Sequence, residues 1–325
     1  MQGKEASEQE TLKSTAGIDV SKSWLDAHVY PASRSLRVAN TSAGIRQLKR
    51  WLLHHKVKLV AVEATGKWHR EVCRSLAASP IAVAIVDPYR VRMFAKASGI
   101  LAKTDKLDAK VLALFAATMS PSCRPQASKT LEGLQELVTA RDSAVAERTA
   151  LKNQLSAATS AFLKAHLKKR IAQLANAIKA IEKECLAQIK ADEGLARRFS
   201  ILVSIPSFGP VVAMTLIARF RELGSISRKQ AGALGGLAPV PDESGERIGQ
   251  RVVYGGRTAV RTILYLAAVS SARSSKGMKA FFARLVAKGT SKKAALIAVA
   301  RKLIVLANTL LAEDRLWLPI PPQHA

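Results

Sequence analysis

The fold is decided by the stretch TAGIDV at residues 15–20, an apolar run interrupted by a single aspartate. Two more strand-like stretches follow, WLDAHVY at 24–30 and SLRVA at 35–39, separated by short polar turns. Alternating apolar residues with turns of this length predict an antiparallel meander. We therefore expect the folded part of the chain to begin with three adjacent strands, the first of which carries Asp19.

Beyond the meander, helical and strand-like patterns alternate. Pro80 ends a helical pattern, and Asp87-Pro88 ends the strand after it. The predicted elements are a helix from Thr41 or Ser42 to His55, a strand at 57–62, a helix at 67–78 and a strand at 81–86. Three strands, helix, strand, helix, strand and then helices is the order of a ribonuclease H-like fold, in which the first strand, the fourth strand and a later helix supply metal ligands.

Four carboxylates occupy those positions. Asp19 lies in the first strand and Glu63 follows the fourth, while Asp105 and Asp108 lie one turn apart in a helix that Thr104 can cap. Acids in a first helical turn also complement the helix dipole, which is the simpler explanation for the last two. Agreement of all four with the fold favours a site for Mg²⁺ or Mn²⁺, because several hard oxygen ligands suit two-metal phosphoryl chemistry.

The charge balance indicates what such a site acts on. The 325 residues include 51 Lys and Arg against 24 Asp and Glu, a formal net charge of +27. Residues 244–310 carry thirteen Lys or Arg and one acid, Glu246. A surface this basic predicts a polyanionic partner, most simply nucleic acid.

Other classes of protein are not expected. Cys73, Cys123 and Cys185 are far apart and form no Cys-x-x-Cys pair, so neither a disulfide framework nor a zinc site is predicted. The N-terminus is polar and acidic, unlike a secretory signal. The apolar stretch at 303–311 is shorter than the ~20 residues that span a bilayer. We expect a cytoplasmic protein without a membrane segment.

The remainder of the chain is mostly helical. Residues 128–195 are rich in Ala, Leu, Lys and Glu with three-four apolar spacing, which predicts a long helical hairpin or coiled coil. The stretch LVSIPSFGPVV at 202–212 resembles a helix-hairpin-helix turn. The predicted organisation is a tail at 1–14, an α/β domain at 15–127, helices at 128–195 and a mostly helical domain at 196–325.

A second candidate site lies in the C-terminal domain. The segment GGLAPVPDESGER at 235–247 is dense in Gly and Pro, which predicts an irregular loop that exposes Ser244. A serine that attacks a phosphodiester needs positive charge nearby, and an ordinary turn is the alternative. Four candidate nucleic-acid-binding arginines follow: Arg247, Arg251, Arg257 and Arg261.

The motifs GIDVSK, VEATG, KTDKLDA, IPSFGP and GGLAPVPDESG, in this order, resemble the DEDD transposases of the insertion-sequence one-ten family, also described as bridge-RNA-guided recombinases. The resemblance covers about residues 16–275. It implies a RuvC-like N-terminal domain, central coiled-coil helices and a C-terminal transposase domain.

The resemblance also implies roles for residues and partners. Metal ligands would be Asp19, Glu63, Asp105 and Asp108, and Ser244 would attack a DNA phosphate to form a covalent phosphoserine. Target and donor DNA would be the substrates, and a noncoding bridge RNA would guide the enzyme. A dimer or tetramer with composite active sites would act on the nucleoid of a bacterial cytoplasm.

Three alternatives remain open. A RuvC-like junction resolvase or nuclease would use the carboxylates with water as nucleophile and would not need Ser244. A non-catalytic nucleic-acid-binding protein would use only the charge. A sugar kinase or actin-like ATPase is disfavoured, because the sequence has no second phosphate or adenosine motif of that kind.

Overall fold

The computed structural model describes residues 14–64, 66–100, 105–123, 128–240, 243–244, 247–248 and 252–318. Contacts between residues divide the chain into two units, Met1–Ala127 and Ser128–Ala325. The first is α/β with one five-stranded sheet, and the second is dominated by helices. The N-terminal tail at 1–13 lies outside the described residues.

The sheet of the first unit has strand order β3-β2-β1-β4-β5. Strand β1 is central, antiparallel to β2 and parallel to β4. The predicted meander and the two later strands are confirmed, and the bounds are β1 Thr15–Val20, β2 Trp24–Tyr30, β3 Arg34–Ala39, β4 Leu59–Glu63 and β5 Ala82–Val86.

Helices cover both faces of this sheet, which explains why β1 is buried on both sides. On one face, Ile18 and Val62 pack in a core with Leu48 of α1 (Ser42–His54) and Leu76 of α2 (Arg70–Ala77). On the other face, Ala61 packs in a separate core with residues of α3 (Pro88–Ala97) and α4 (Asp105–Met119). Alternation along β1 places Asp19 on the α4 face.

The second unit begins with an antiparallel pair of long helices, α5 (Lys129–Ala157) and α6 (Ala161–Lys190), as the sequence predicts for a helical hairpin. Leu134 and Val138 of α5 and Cys185 and Ile189 of α6 belong to the core formed by the later helices. Those helices are α7 Glu193–Ser204, α8 Pro210–Arg219, α9 Arg228–Leu234, α10 Thr258–Ser274, α11 Lys276–Ala287 and α12 Lys292–Ala312.

By length and composition, α12 is long and apolar enough to cross a membrane. The sequence analysis considered only residues 303–311, which are too short to span a bilayer, whereas the whole helix has 21 residues. Its buried residues, including Val299, Leu303 and Leu310, pack in the core of the second unit. A core helix of a globular protein meets the same criteria, so this helix is explained by its packing.

Candidate active site

Two of the four predicted carboxylates lie side by side at the end of neighbouring strands. Strands β1 and β4 are parallel, with Ile18 paired to Val62, so Asp19 and Glu63 are the next residues along each strand. Adjacent strands are about 4.8 Å apart, and alternation directs both side chains to the α4 face. Both residues are partly buried. The sheet register therefore brings Asp19 and Glu63 together, as the sequence predicts from their positions.

Helix α4 approaches β1 so closely that only glycine fits at residue 17. A Cβ on Gly17 would lie 2.2 Å from the carbonyl oxygen of Ala109 and 2.4 Å from the backbone nitrogen of Ala113. The Thr15 hydroxyl donates to the Ala113 carbonyl oxygen over 3.0 Å. Moving from Gly17 to Thr15, toward the start of β1, thus corresponds to moving about one turn toward the end of α4. The helix therefore runs antiparallel to the strand.

This packing sets the position of the third carboxylate. If Thr15 contacts Ala113 and Gly17 contacts Ala109, the same progression brings Asp19 beside the first turn of α4. Asp108 lies in that turn and is partly buried. The backbone of Asp105 begins α4, while its side chain and the predicted cap Thr104 lie outside the described residues.

Among the described side chains, no group of three His, Cys, Asp or Glu residues converges closely enough to hold a metal ion. The Asp105 carboxylate is outside that set. The chemistry of the donors nevertheless suits a hard divalent cation, since Asp19, Glu63 and Asp108 offer only carboxylate oxygens. The fold thus places Asp19 and Glu63 at one edge of the sheet, against the helix that carries Asp108.

Sequence reasoning missed a polar pair on this face of the sheet. Asp26 is directly opposite Asp19 in β2, is 8% exposed, and accepts two hydrogen bonds from Arg37 at 2.7 and 2.8 Å. Such a bidentate pair fixes the carboxylate of Asp26. Apolar Leu25 and Ala27 flank Asp26, so strict alternation along the predicted strand already indicated that Asp26 lies on the opposite face from these two residues.

A buried histidine lies beside this pair. His28 is opposite Gly17, is 5% exposed, and lies 2.8 Å from the hydroxyl of Ser35 through its Nδ1. Burial, and then the positive charge of Lys110 on α4, lower the pKa of His28 below its usual value. At neutral pH this imidazole is therefore uncharged.

The second candidate site differs from the predicted irregular loop. Ser244 belongs to a two-residue strand, β7 (Glu243–Ser244), and pairs with Arg247 of β8 (Arg247–Ile248). This pairing is nested between β6 (Pro239–Val240) and β9 (Val252–Val253). We call these two ladders, at residues 239–240 with 252–253 and 243–244 with 247–248, the serine ribbon. The side chains of Ser244 and Arg247, and the whole of Arg251, lie outside the described residues.

Two of the four predicted nucleic-acid-binding arginines contact the protein at the base of the serine ribbon. Arg257 donates to both carboxylate oxygens of Glu222, at 2.7 and 2.8 Å, and lies over the ring of Phe220. Arg261 donates to the carbonyl oxygen of Gly255 over 2.8 Å. These bonds fix the segment that leads from the ribbon into α10, so both arginines have a structural role in addition to any contact with nucleic acid.

Two glycines make that base compact. Gly236 and Gly256 have φ values of +64° and +68°, and a Cβ on Gly256 would lie 2.3 Å from the Gly236 backbone nitrogen. Left-handed backbone at both positions favours glycine. The segments that flank the serine ribbon therefore meet in backbone contact at Gly236 and Gly256.

Comparison with known proteins agrees with these features. Residues 16–163 match a family profile described as a transposase with a DEDD motif, and residues 199–283 match one described as a transposase of the IS116/IS110/IS902 family. The chain is 26% identical to the pilin gene-inverting proteins of Moraxella bovis and Moraxella lacunata, over 93% of this chain and 97% of each relative. It is also 31% identical to an uncharacterized 44.8 kDa protein of insertion element IS116 from Streptomyces clavuligerus, over 38% of this chain and 32% of that protein.

These matches define a DNA transposase, an enzyme that breaks and joins DNA strands. Within that class, the chain belongs to the IS110 family of insertion-sequence transposases. The resemblance read from its motifs is thereby confirmed.

Proposed function

We propose that this transposase recombines DNA through a covalent intermediate on Ser244, assisted by a metal site at Asp19, Glu63, Asp105 and Asp108 of a RuvC-like, ribonuclease H-like domain. The observation that carries the proposal is the close packing of α4 on β1 across Gly17. This packing supports the proposal because it sets the helix that carries Asp108 against the strand that carries Asp19, and Glu63 ends the neighbouring parallel strand. In this proposal the domain at 15–127 binds the metal, and the domain at 196–325 supplies the serine nucleophile.

In the proposed reaction, the Ser244 hydroxyl oxygen attacks a DNA phosphorus atom. A serine–phosphate bond forms, the bond to one deoxyribose oxygen breaks, and the serine proton is transferred as the leaving oxygen gains one. Attack by the freed hydroxyl of another strand reverses these changes and releases the serine. Each step exchanges one phosphoester for another, so strands can be rejoined without an external energy source.

The four carboxylates would bind Mg²⁺ or Mn²⁺, which when bound supplies Lewis-acid stabilisation of charge on the phosphoryl oxygens. The chain's own contribution is to hold the acids in place through the β1–β4 register and the α4 contact. Beside Asp19, the carboxylate of Asp26 is paired with Arg37. Its negative charge is therefore neutralised and does not add to that of the proposed metal ligands.

Rejoining favours the serine mechanism over hydrolysis. The Moraxella relatives are named for inverting a pilin gene, and inversion requires that cut strands be joined again. A nuclease that uses water as nucleophile leaves cut ends and conserves no bond energy for joining. If this chain shares that ability, a covalent protein–DNA intermediate explains it directly.

We further propose that a noncoding bridge RNA of the element selects target and donor DNA by base pairing, and that a dimer or tetramer with composite active sites acts in the cytoplasm. The net charge of +27 supports simultaneous contact with two nucleic acids. Deleting the noncoding DNA that flanks the gene should abolish recombination if this is correct. Recombination unchanged by the deletion would remove the RNA from the proposal and leave the chemistry intact.

A covalent trapping assay tests the chemistry. The purified full chain is incubated in Mg²⁺ with DNA of its element and with the RNA transcribed from the noncoding DNA that flanks the gene. Wild type should yield a denaturant-resistant protein–DNA adduct, and Ser244→Ala should yield neither adduct nor recombinant. Asp19→Asn should lose recombination while retaining DNA binding. Ser200→Ala is the matched control, because among the described residues the Ser200 hydroxyl donates to the Ala196 carbonyl oxygen of its own helix.

Cleavage by Ser244→Ala at the wild-type rate, with no adduct in wild type, would establish the hydrolytic alternative. Full recombination by Asp19→Asn would show that the carboxylates are not needed. Each result therefore counts against a separate part of the proposal.

A further inference from the structure

A cavity of about 700 Å³ lies within the second unit, apart from the serine ribbon. It is bounded by the α7–α8 turn at Ile205 and Pro206, by the junction of α10 and α11, and by α12. Its size is within the range of about 300–1,000 Å³ that is typical of ligand sites. Its lining combines apolar residues, among them Leu306 and Trp317, with three serines and two lysines.

The lining contains a buried hydroxyl that has no partner among the described residues. Ser271 on α10 is 1% exposed and lines the cavity, and its Oγ has no hydrogen-bond partner among the described residues. Leaving a buried hydroxyl unsatisfied costs about 1–3 kcal/mol. A ligand in the cavity that offered a hydrogen-bond acceptor or donor would satisfy this hydroxyl and explain why the protein leaves it unpaired.

The lining also carries the positive charge of two lysines. Helix α11 begins at the cavity with Lys276, and its first turn, all within the described residues, has neither an acidic side chain nor a side-chain cap. Lys276, Gly277 and Met278 of this first turn all line the cavity, so the positive end of the helix dipole lies at it. Lys302 of α12 also lines the cavity, with its ammonium 4.2 Å from the centroid of the Phe281 ring. No acidic side chain is among the described residues that line the site.

We propose that this cavity binds one unpaired nucleotide of a nucleic-acid strand. The phosphate lies at the first turn of α11, between Lys276 and Lys302, and accepts a hydrogen bond from Ser271. The base lies against Leu306 and Trp317. Phosphate recognition by helix N–H groups and lysine, with base stacking on an aromatic wall, is the combination used for single strands.

The proposal concerns binding and is independent of the serine mechanism. Strand exchange exposes unpaired nucleotides in DNA, and a guide RNA has them as well, so the phosphodiester of either strand is the shared chemistry. Binding is measured by fluorescence anisotropy with the full-length chain and three probes of one sequence, namely single-stranded DNA, single-stranded RNA and duplex DNA, each across a salt series. A fourth probe is the single-stranded DNA with abasic sites throughout.

Lys276→Gln should weaken single-strand binding and reduce the salt slope by about one, the value of one phosphate contact. Lys279→Gln is the matched control, because it removes the same charge three residues further along α11 at a side chain that does not line the cavity. Ser271→Ala should weaken binding about tenfold with an unchanged salt slope. The same variant should unfold no earlier than wild type, since it removes an unsatisfied buried group.

The abasic probe should bind more weakly than its parent to wild type. The strand whose affinity falls in Lys276→Gln, DNA or RNA, is the natural source. Equal losses in Lys276→Gln and Lys279→Gln would mean diffuse electrostatic attraction and would overturn the proposal. It would equally fail if the loss were confined to duplex DNA, or if Ser271→Ala lowered stability without changing binding.

Discussion

Replacing Gly17 with alanine tests the packing on which the candidate active site depends. The added Cβ would meet three atoms of α4, two of them backbone, at 2.2, 2.4 and 2.5 Å. Ordinary contacts begin at 3.4 Å, so α4 would have to retreat from β1 by about 1 Å. Backbone atoms cannot rotate out of the way as a side chain can. We therefore expect a loss of about 3 kcal/mol, the upper part of the usual range for overpacking.

The same displacement would affect activity more than stability. Moving Asp108 by about 1 Å relative to Asp19 and Glu63 should reduce recombination about 100-fold if these acids act together. Recombination is measured at a temperature at which the variant remains folded, and unfolding is followed by urea denaturation and circular dichroism. Asp108→Asn provides the activity expected when the site is disabled without a steric change.

The control for this experiment is Gly133→Ala in α5. The nearest atom to its added Cβ is the Gln188 side-chain oxygen at 3.5 Å, an ordinary contact. Alanine is a better helix former than glycine, so this variant should gain about 0.5–1 kcal/mol. If Gly17→Ala unfolded at the same urea concentration as wild type and recombined normally, the close α4–β1 approach and the site built on it would both be wrong.

Two other changes have predictable effects. The pKa of His28 is lowered by burial and by Lys110, so the unfolded chain takes up the proton first as the pH falls. The stability of wild type should therefore be full above about pH 6.5 and should decline below it as the pH approaches the lower folded-state pKa. His28→Gln should flatten this decline, as measured by urea midpoints at pH 7.5 and 5; parallel curves would refute it. Arg257→Met removes the bidentate partner of Glu222, whose side chain is 12% exposed, and should cost about 2 kcal/mol. Adding Glu222→Leu should restore most of that stability, and a single variant as stable as wild type would show that the pair contributes nothing.

The meander and the position of Asp19 could be predicted because their signals are local. Alternation at 15–39 and the turns between the strands determine which residues pair, and the structure pairs them accordingly. The same alternation contained Asp26, but its acid was not recognised because its role depends on Arg37 of the third strand. Identification of such a pair requires the register of two hairpins together.

The contact of α4 with Gly17 could not be predicted in the same way. The two segments are about ninety residues apart, and nothing in GIDVSK specifies which helix covers it. The serine ribbon was missed for the opposite reason. Its density of Gly and Pro is typical of a loop, but Pro239 can begin an edge strand because it needs no ladder donor there, and each ladder is only two residues long.

The α5–α6 hairpin has a mechanical consequence. Its base is fixed to α8, where Gln135 donates to the Ala218 carbonyl oxygen over 2.8 Å and Arg219 pairs with Asp142 over 3.0 Å. From Asp142 to the connection near Phe162, α5 extends about 22 Å at about 1.5 Å per residue, and Phe162 is 81% exposed. A tilt of about 10° at the base would move that end by about 4 Å. A rearrangement around α8 that tilted the hairpin by this amount would therefore displace its far end by about the spacing between neighbouring bases.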